Sequence, residues 1–467
     1  MKMWSGRFRQ ALDPEFERWQ RSFSFDRRLL AHELAASGAH ARALKSAGIL
    51  SSDELISILQ GLQQIGEKAS ASPAFLDDDE AEDVHHFVEK RLVALIGETG
   101  YKLHSGRSRN EQIATDLRLY VRTTIDQLRQ ELAELCGMLV NRAEQAGDAA
   151  MPAYTHLQRA EPVLIGHWLL AYVEMFLRDA ERLADCRRRL NVCPLGSGAV
   201  AGATLSLDRS LLANNLGFDG ATANSIDATS DRDFVLEFVN ALSLLALHLS
   251  RWAEEMILFS SQEYSFVVLP EAYSTGSSAM PQKKNPDLLE LVRGKSGRIL
   301  GNANSLMVAV KGLPLAYNKD LQETQEPLFD SSDTLLQMLP LVAGWMKVVE
   351  FQTERMQQAA QSGFMNAWAA ATYLVKHGVP SRLAHERIGK AVQLCIERNC
   401  ELQDLPLEEL RSLSPAFDQD FYESLRLTSV LAVHDVAGGT APSRVRQAIN
   451  ATRKRIDSLR EEAHAHA

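Results

Sequence analysis

With 467 residues, the chain is too long for one ordinary core, and an apolar share of 45% leaves ample material for two or three. Fifty basic against sixty acidic side chains give a net charge of −10 and a pI near 5.8, which argues against a general nucleic-acid binder. The five cysteines are odd in number and scattered, without the close pairing of a zinc site, so reduced thiols in a cytoplasmic protein are expected. Met1 to Arg7 has no apolar core of a signal peptide. The apolar run Phe234 to Phe259 is broken by Glu237, His248, Arg251, Glu254 and Glu255, and reads as a buried helix of a protein with no membrane span.

In chain order, residues 1–107 alternate short helical patterns with turns and form an expected N-terminal helical domain. The acidic run Asp77 to Asp83 lacks the glycine and ligand spacing of a calcium loop and reads as a solvated helix start. From Ile113, Val121, Ile125, Leu128, Leu132, Leu135 and Leu139 step by four and three, which keeps one apolar seam along a helix in a left-handed bundle. Further long helices are expected over Val163 to Arg189, Asp231 to Ser261, Leu288 to Val310 and Phe329 to Gln361, the last kinked at Pro340. Residues 108–355 thus form a central long-helix bundle, and 356–467 a third helical domain, giving an all-α protein. Apolar residues around much of each long helix call for cover by other chains. Gly196 to Gly202 approaches a dinucleotide fingerprint but lacks its glycine spacing and preceding strand, so no nucleotide cofactor is expected.

Chemistry concentrates in Gly276-Ser277-Ser278-Ala279-Met280-Pro281-Gln282-Lys283-Lys284-Asn285-Pro286-Asp287. Two prolines bar regular helix, and two lysines and an asparagine supply anion-binding donors, so the segment reads either as a solvated linker or as a loop that closes over an anionic substrate. Arg109-Asn110, placed just before the first long helix, suits a carboxylate by fork geometry, or a domain-joining ion pair. His156 lies in a break between helices, where it can project into a cleft. Glu290 is expected on the first turn after the loop, where acids favour the positive helix end.

The loop closely resembles the signature of the aspartase/fumarase superfamily, and its Gln282-Lys283-Lys284-Asn285-Pro286-Asp287 is most similar to the argininosuccinate lyase branch. Four further blocks agree in order: Ser22 with Asp26, Ser105 to Glu111, Thr155 to Pro162, and Tyr317 to Glu323. The segments Glu82 to His86 and Leu195 to Ala199 also resemble superfamily patterns near the site. The resemblance implies a homotetramer with active sites shared between subunits, no metal or organic cofactor, and reversible β-elimination of argininosuccinate to arginine and fumarate in arginine biosynthesis. It further implies catalytic roles for Ser277 as base, His156 as acid, Glu290 as its partner, and Lys283 and Asn285 as stabilisers of the carbanion. Substrate contacts are implied for Ser22, Asp26, Arg109, Asn110, Thr155, Tyr317, Gln322 and Gln325. One departure stands out, since the family commonly carries lysine where this chain has Gln325. Two rival readings are another lyase of the superfamily and a structural protein that keeps the fold without activity, as the related lens crystallins do; only Gln325 speaks for the latter.

Overall fold

The computed structural model describes residues 10–466. Helices dominate: α1 (Leu30–Ser46), α2 (Ser52–Ala71) and α3 (Val84–Ile96) precede five long ones, α4 (Arg109–Gln145), α5 (Ile165–Leu190), α6 (Asp233–Ser260), α7 (Asp287–Val310) and α8 (Gln325–Val348). Short helices follow from 353 to 432, and α9 (Pro442–His466) ends the described chain. Every strand among the described residues belongs to a two-stranded pair, so the expected all-α class holds.

Local chemistry sets the helix starts. Ser51 and Glu54 form a reciprocal capping box that satisfies two otherwise unpaired N–H groups of α2. Asp83 caps α3 by accepting the His86 N–H, 2.8 Å away. The heptad residues Val121, Ile125, Leu128, Leu132, Leu135 and Leu139 are all completely buried on α4, as the four-three stepping predicts.

The chain divides into two compact units. The first comprises Met1–Asp126, Arg182–Ser243 and Arg298–Thr334, the second Gln127–Glu181, Leu244–Gly297 and Leu335–Ala467. All five long helices contribute residues to both. In the first unit, Ala36, Ala39 and Ala43 of α1 pack with Leu119, Leu195, Leu212 and Phe218. In the second, the rings of Trp252 and Trp345 meet edge-on at 5.2 Å, a geometry that suits the aromatic quadrupole. A separate core there gathers Leu374, Ile388, Cys395, Leu410, Phe417 and Phe421.

Three local features differ from the sequence reading. Ala150–Thr155 (β1) and Gln158–Leu164 (β2) form an antiparallel hairpin where a simple helix break was expected. The helix expected to run to Gln361 stops at Val348 after continuing through Pro340, because Glu350–Phe351 pair instead with Val267–Val268. The acidic run before α3 is not all solvated: the Asp78 carboxylate is buried against Lys90 at 3.1 Å and Arg91 at 3.3 Å. All five cysteines are free thiols.

Helix α6 is long and apolar enough to cross a membrane by length and composition. Phe238, Leu242, Leu245, Leu249, Trp252 and Met256 on it are fully buried, whereas Leu244 and Leu247 are exposed. The α4 seam provides a direct test of the packing. Truncation of Leu132 to alanine is expected to cost about 2–5 kcal/mol, read as a lower urea midpoint with an unchanged slope.

Candidate active site

Six of the residues singled out above belong to the second unit. Thr275–Gly276 (β3) pairs antiparallel with Lys284–Asn285 (β4), so the signature segment is a hairpin loop whose neck is closed by main-chain bonds. Asp287, the first residue of α7, ties the neck further: its Oδ2 accepts the Thr275 amide at 3.1 Å and the Thr275 hydroxyl at 2.7 Å. These hydrogen bonds hold the Asp287 carboxyl below its ordinary range.

Within the loop, Ser277 Oγ accepts N–H bonds from Ala279 at 3.3 Å and Met280 at 3.1 Å. Two amide donors on one hydroxyl oxygen favour negative charge there. Asn285 Nδ2 faces Thr275 Oγ1 and the Gly276 carbonyl, both at 3.4 Å, and so sits beside Ser277 in the chain fold of the neck. Lys284 turns back to donate to the Leu269 carbonyl, whereas the Lys283 side chain is exposed and makes no hydrogen bond among the described residues. Glu290 is exposed on the first turn of α7, as expected.

His156 and Leu157 are the two loop residues between β1 and β2, because Thr155 pairs with Gln158. Both have left-handed backbones, φ 55° and 58°, in the place where hairpins usually carry Asn-Gly. Each such non-glycine residue costs about 1–3 kcal/mol and persists where surrounding structure enforces it, commonly at functional sites. Thr155, His156 and Leu157 are all exposed at this tip, and no hydrogen bond or ion pair joins His156 to Glu290 among the described residues.

The other seven belong to the first unit. Ser22 donates to Asp26 at 2.6 Å, and Asp26 accepts the Val84 amide at 3.0 Å, while the Ser22 and Phe23 amides bond the Glu82 carbonyl. Burial, with Asp83 nearby, pushes the Asp26 carboxyl up to about 7. Arg109 and Asn110 open α4 rather than preceding it; Arg109 pairs with Asp83, and Asn110 Nδ2 donates to the Ala199 carbonyl at 3.3 Å. The Gly196 to Gly202 loop is therefore bound to the start of α4, the more so because Glu111 accepts the Gly198 amide at 3.0 Å. Gly198 is at φ +60°, and a Cβ there would lie 2.7 Å from the Gly202 carbonyl, so no other residue fits without a shift.

Gln322 donates to the Gln20 carbonyl at 3.2 Å. Tyr317 is half-buried, its hydroxyl within the fields of Arg232, Arg109 and Asp83, and burial pushes the phenol pKa up despite the two cations. Gln325 is completely buried at the start of α8, with neither amide atom hydrogen-bonded. Arg232 is also wholly buried; its Nη1 bonds the Asp231 carbonyl while Nε and Nη2 lack partners.

Sequence reasoning missed a buried charge cluster in this unit. His85 Nε2 lies 3.0 Å from Asp116 Oδ2 and 3.8 Å from Glu33 Oε2, and Nδ1 lies 3.7 Å from Asp83 Oδ1. Arg107 approaches Glu33 at 3.8 Å. Burial works against charge on His85, but the Asp116 bond and the Asp83 and Glu33 charges prevail and raise it to about 10. Burial and Glu33 push Asp116 up to about 7. The sequence clue is the Glu82 to His86 segment noted above, which places the histidine near the site but does not report its acidic neighbours Glu33 and Asp116.

The signs give a pH prediction. His85 binds its proton more tightly folded than unfolded, so its contribution is complete below about pH 6.5 and is lost as pH rises through about 10. Asp26 and Asp116 hold protons above their unfolded range, so their contribution is lost between about pH 4 and 7. Thermal stability should therefore fall between pH 7 and 10, and His85→Gln should flatten that fall in melting curves.

The pattern of the family described as Lyase matches residues 6–301, and that of the argininosuccinate lyase C-terminal region matches 364–432. The chain is 60% identical over 467 residues to argininosuccinate lyase from Koribacter versatilis (strain Ellin345), covering 100% of both. It is 59% identical over 464 residues to that of Acidobacterium capsulatum, covering 98% of this chain and 96% of the relative. Among solved structures, EDDS lyase in complex with formate is similar at TM-score 0.85 and 26% identity, over 98% of this chain and 93% of that one. A class II fumarase from Schistosoma mansoni shares the fold at TM-score 0.72 and 18% identity, over 85% and 90% of the two chains. On the match of both regions and of whole-length relatives, the chain belongs to the argininosuccinate lyase family.

Proposed function

We propose that the chain carries out the reversible β-elimination of argininosuccinate to arginine and fumarate, with Ser277 as base and His156 as acid. The proton removed lies beside a carboxylate and is weakly acidic, and its loss adds a second negative charge to that group. The site must therefore offer fixed donors and cations to the carbanion. Lys283 and Asn285 suit this demand, the first by its exposed ammonium on the loop and the second by its place beside Ser277.

The observation that carries the reading is the pair of amides on Ser277 Oγ. A neutral serine is far too weak a base, and donors already aimed at its oxygen favour the alkoxide once substrate and loop exclude water. His156 then protonates the departing guanidinium nitrogen, directly or through water. Its backbone strain supports a functional placement of the imidazole. Ser22, Asp26, Arg109, Asn110, Thr155, Tyr317, Gln322 and Gln325 bind the substrate in this scheme. The unpaired amide of buried Gln325 supports its part, because such a group costs about 1–3 kcal/mol until a partner arrives.

The assembly in this scheme is a cytoplasmic homotetramer, organised as segments 1–107, 108–355 and 356–467, with the catalytic imidazole meeting a Glu290 from another copy. Exposed Leu244 and Leu247 on α6, and Leu291, Leu300, Met307 and Val308 on α7, support it, since long helices seldom leave such rows to water. Exposed His156 and Glu290 without mutual contact in one chain fit a shared site.

The test follows fumarate absorbance from argininosuccinate. Ser277→Ala is expected to lower kcat by about 10²–10⁴-fold, while a folded tetramer of the unaltered chain that makes no fumarate overturns the assignment. Gln325→Leu is expected to raise KM about tenfold with kcat kept, for loss of one substrate hydrogen bond.

A further inference from the structure

We propose that His85 is a buried positioning residue that holds Asp83, and through Asp83 the Arg109 guanidinium, in the pose that meets substrate. The inference rests on the reading of Arg109 as a substrate ligand given above.

The geometry separates this role from the two others a histidine among acids suggests. As a proton donor to substrate, His85 would need an open face, yet it is 3% exposed and its two ring nitrogens face acidic side chains of this unit. As a metal ligand it would use Nε2 beside Glu33 and Asp116, whose ligand atoms all lie within 4.8 Å of one another. But Nε2 at 3.0 Å from a carboxylate oxygen has hydrogen-bond geometry, and Arg107 already sits beside Glu33. The acids are balanced from within: Glu33, Asp83 and Asp116 face His85, Arg107 and Arg109. His104, the remaining imidazole lining this recess, is pushed down to about 4 by burial and by Arg107 and Arg109, and stays neutral near pH 7.

Asp83 has three tasks on one carboxylate. It caps α3 through the His86 amide, pairs with Arg109 at the head of α4, and faces His85 Nδ1. The next residue, Val84, donates its amide to Asp26, which accepts from Ser22. Three residues assigned to substrate thus hang on the stretch 82–85. Burial alone favours a protonated Asp83; the guanidinium and the imidazolium together keep it ionised, well below the usual carboxylate range. Without the imidazolium, Asp83 keeps Arg109 but loses the second cation that faces it, so the anchor of Arg109 is less fixed.

The experiment measures kcat and KM for argininosuccinate with the full chain carrying His85→Gln, Asp83→Asn, both together, and Arg109→Ala. His85→Gln is expected to raise KM about tenfold with kcat within about threefold, and the double variant to be no worse than Asp83→Asn alone. Asp116→Asn, which unseats the ring while leaving the histidine, is expected to shift KM the same way and serves if His85→Gln does not fold. A large loss of kcat at unchanged KM overturns the proposal in favour of proton transfer by His85. KM effects that multiply in the double variant overturn the route through Asp83. Manganese or zinc that raises the melting temperature of the unaltered protein, and not that of His85→Gln, overturns it in favour of a metal site. If Arg109→Ala leaves KM unchanged, the fault lies with Arg109 as a ligand. If it raises KM while His85→Gln does not, the fault lies with His85.

Discussion

One carboxylate, Asp83, joins the first unit's candidate substrate-binding residues Ser22, Asp26 and Arg109 through the stretch it stands on. An ionised acid out of water needs donors and cations about it, and here an amide of the α3 start and the Arg109 guanidinium of α4 bond it while the His85 ring of α3 faces it at 3.7 Å. Each of those donors is in turn fixed: the amide by α3, Arg109 by the first turn of α4, and His85 by Asp116 farther along α4. The consequence is that α3, α4 and the Ser22–Asp26 segment cannot shift independently. A site meant to hold a flexible substrate with several carboxylates gains from such rigidity, since orientation lost on binding is orientation already fixed.

The second unit solves a different problem. Its candidate catalytic residues other than Glu290 lie on two short hairpins, one closed at the neck by β3–β4 pairing and Asp287, the other strained at His156 and Leu157. Neck bonds fix where each loop leaves the scaffold and leave the tips exposed. That suits groups that must meet substrate from outside the core. His156 stands on an exposed hairpin tip and Glu290 on the exposed first turn of α7, with no hydrogen bond or ion pair between them among the described residues.

Legibility in the sequence followed the range of the interaction. The α4 seam was readable because a seven-residue repeat of leucine and isoleucine has one packing solution, and Val121 to Leu139 are buried as the period requires. The signature loop was readable because prolines and paired lysines are local facts. The hairpin at Ala150–Leu164 was not: its turn carries His-Leu where Asn-Gly would announce a left-handed bend, and its strands hold two prolines. Nor was the end of α8, since Val348, Val349 and Phe351 continue an apolar pattern that only pairing with Val267–Val268 interrupts. The His85 cluster draws on residues 33, 83, 107 and 116, and no local pattern reports that four distant charges share one buried space.

Gln325 shows how burial constrains a substitution that looks electrostatic in the sequence. The family commonly places lysine there, and the loss of a charge suggests weaker grip on a carboxylate. In this chain the position is fully enclosed, with no carboxylate bonded to the side chain. An ammonium held there without substrate would have to shed its water with nothing to replace it, at several kcal/mol or by losing its proton. A neutral amide leaves an unmet demand of about 1–3 kcal/mol instead. At this buried position glutamine thus waits at a smaller cost than lysine would, which offsets part of the attraction that the missing charge would give to a carboxylate.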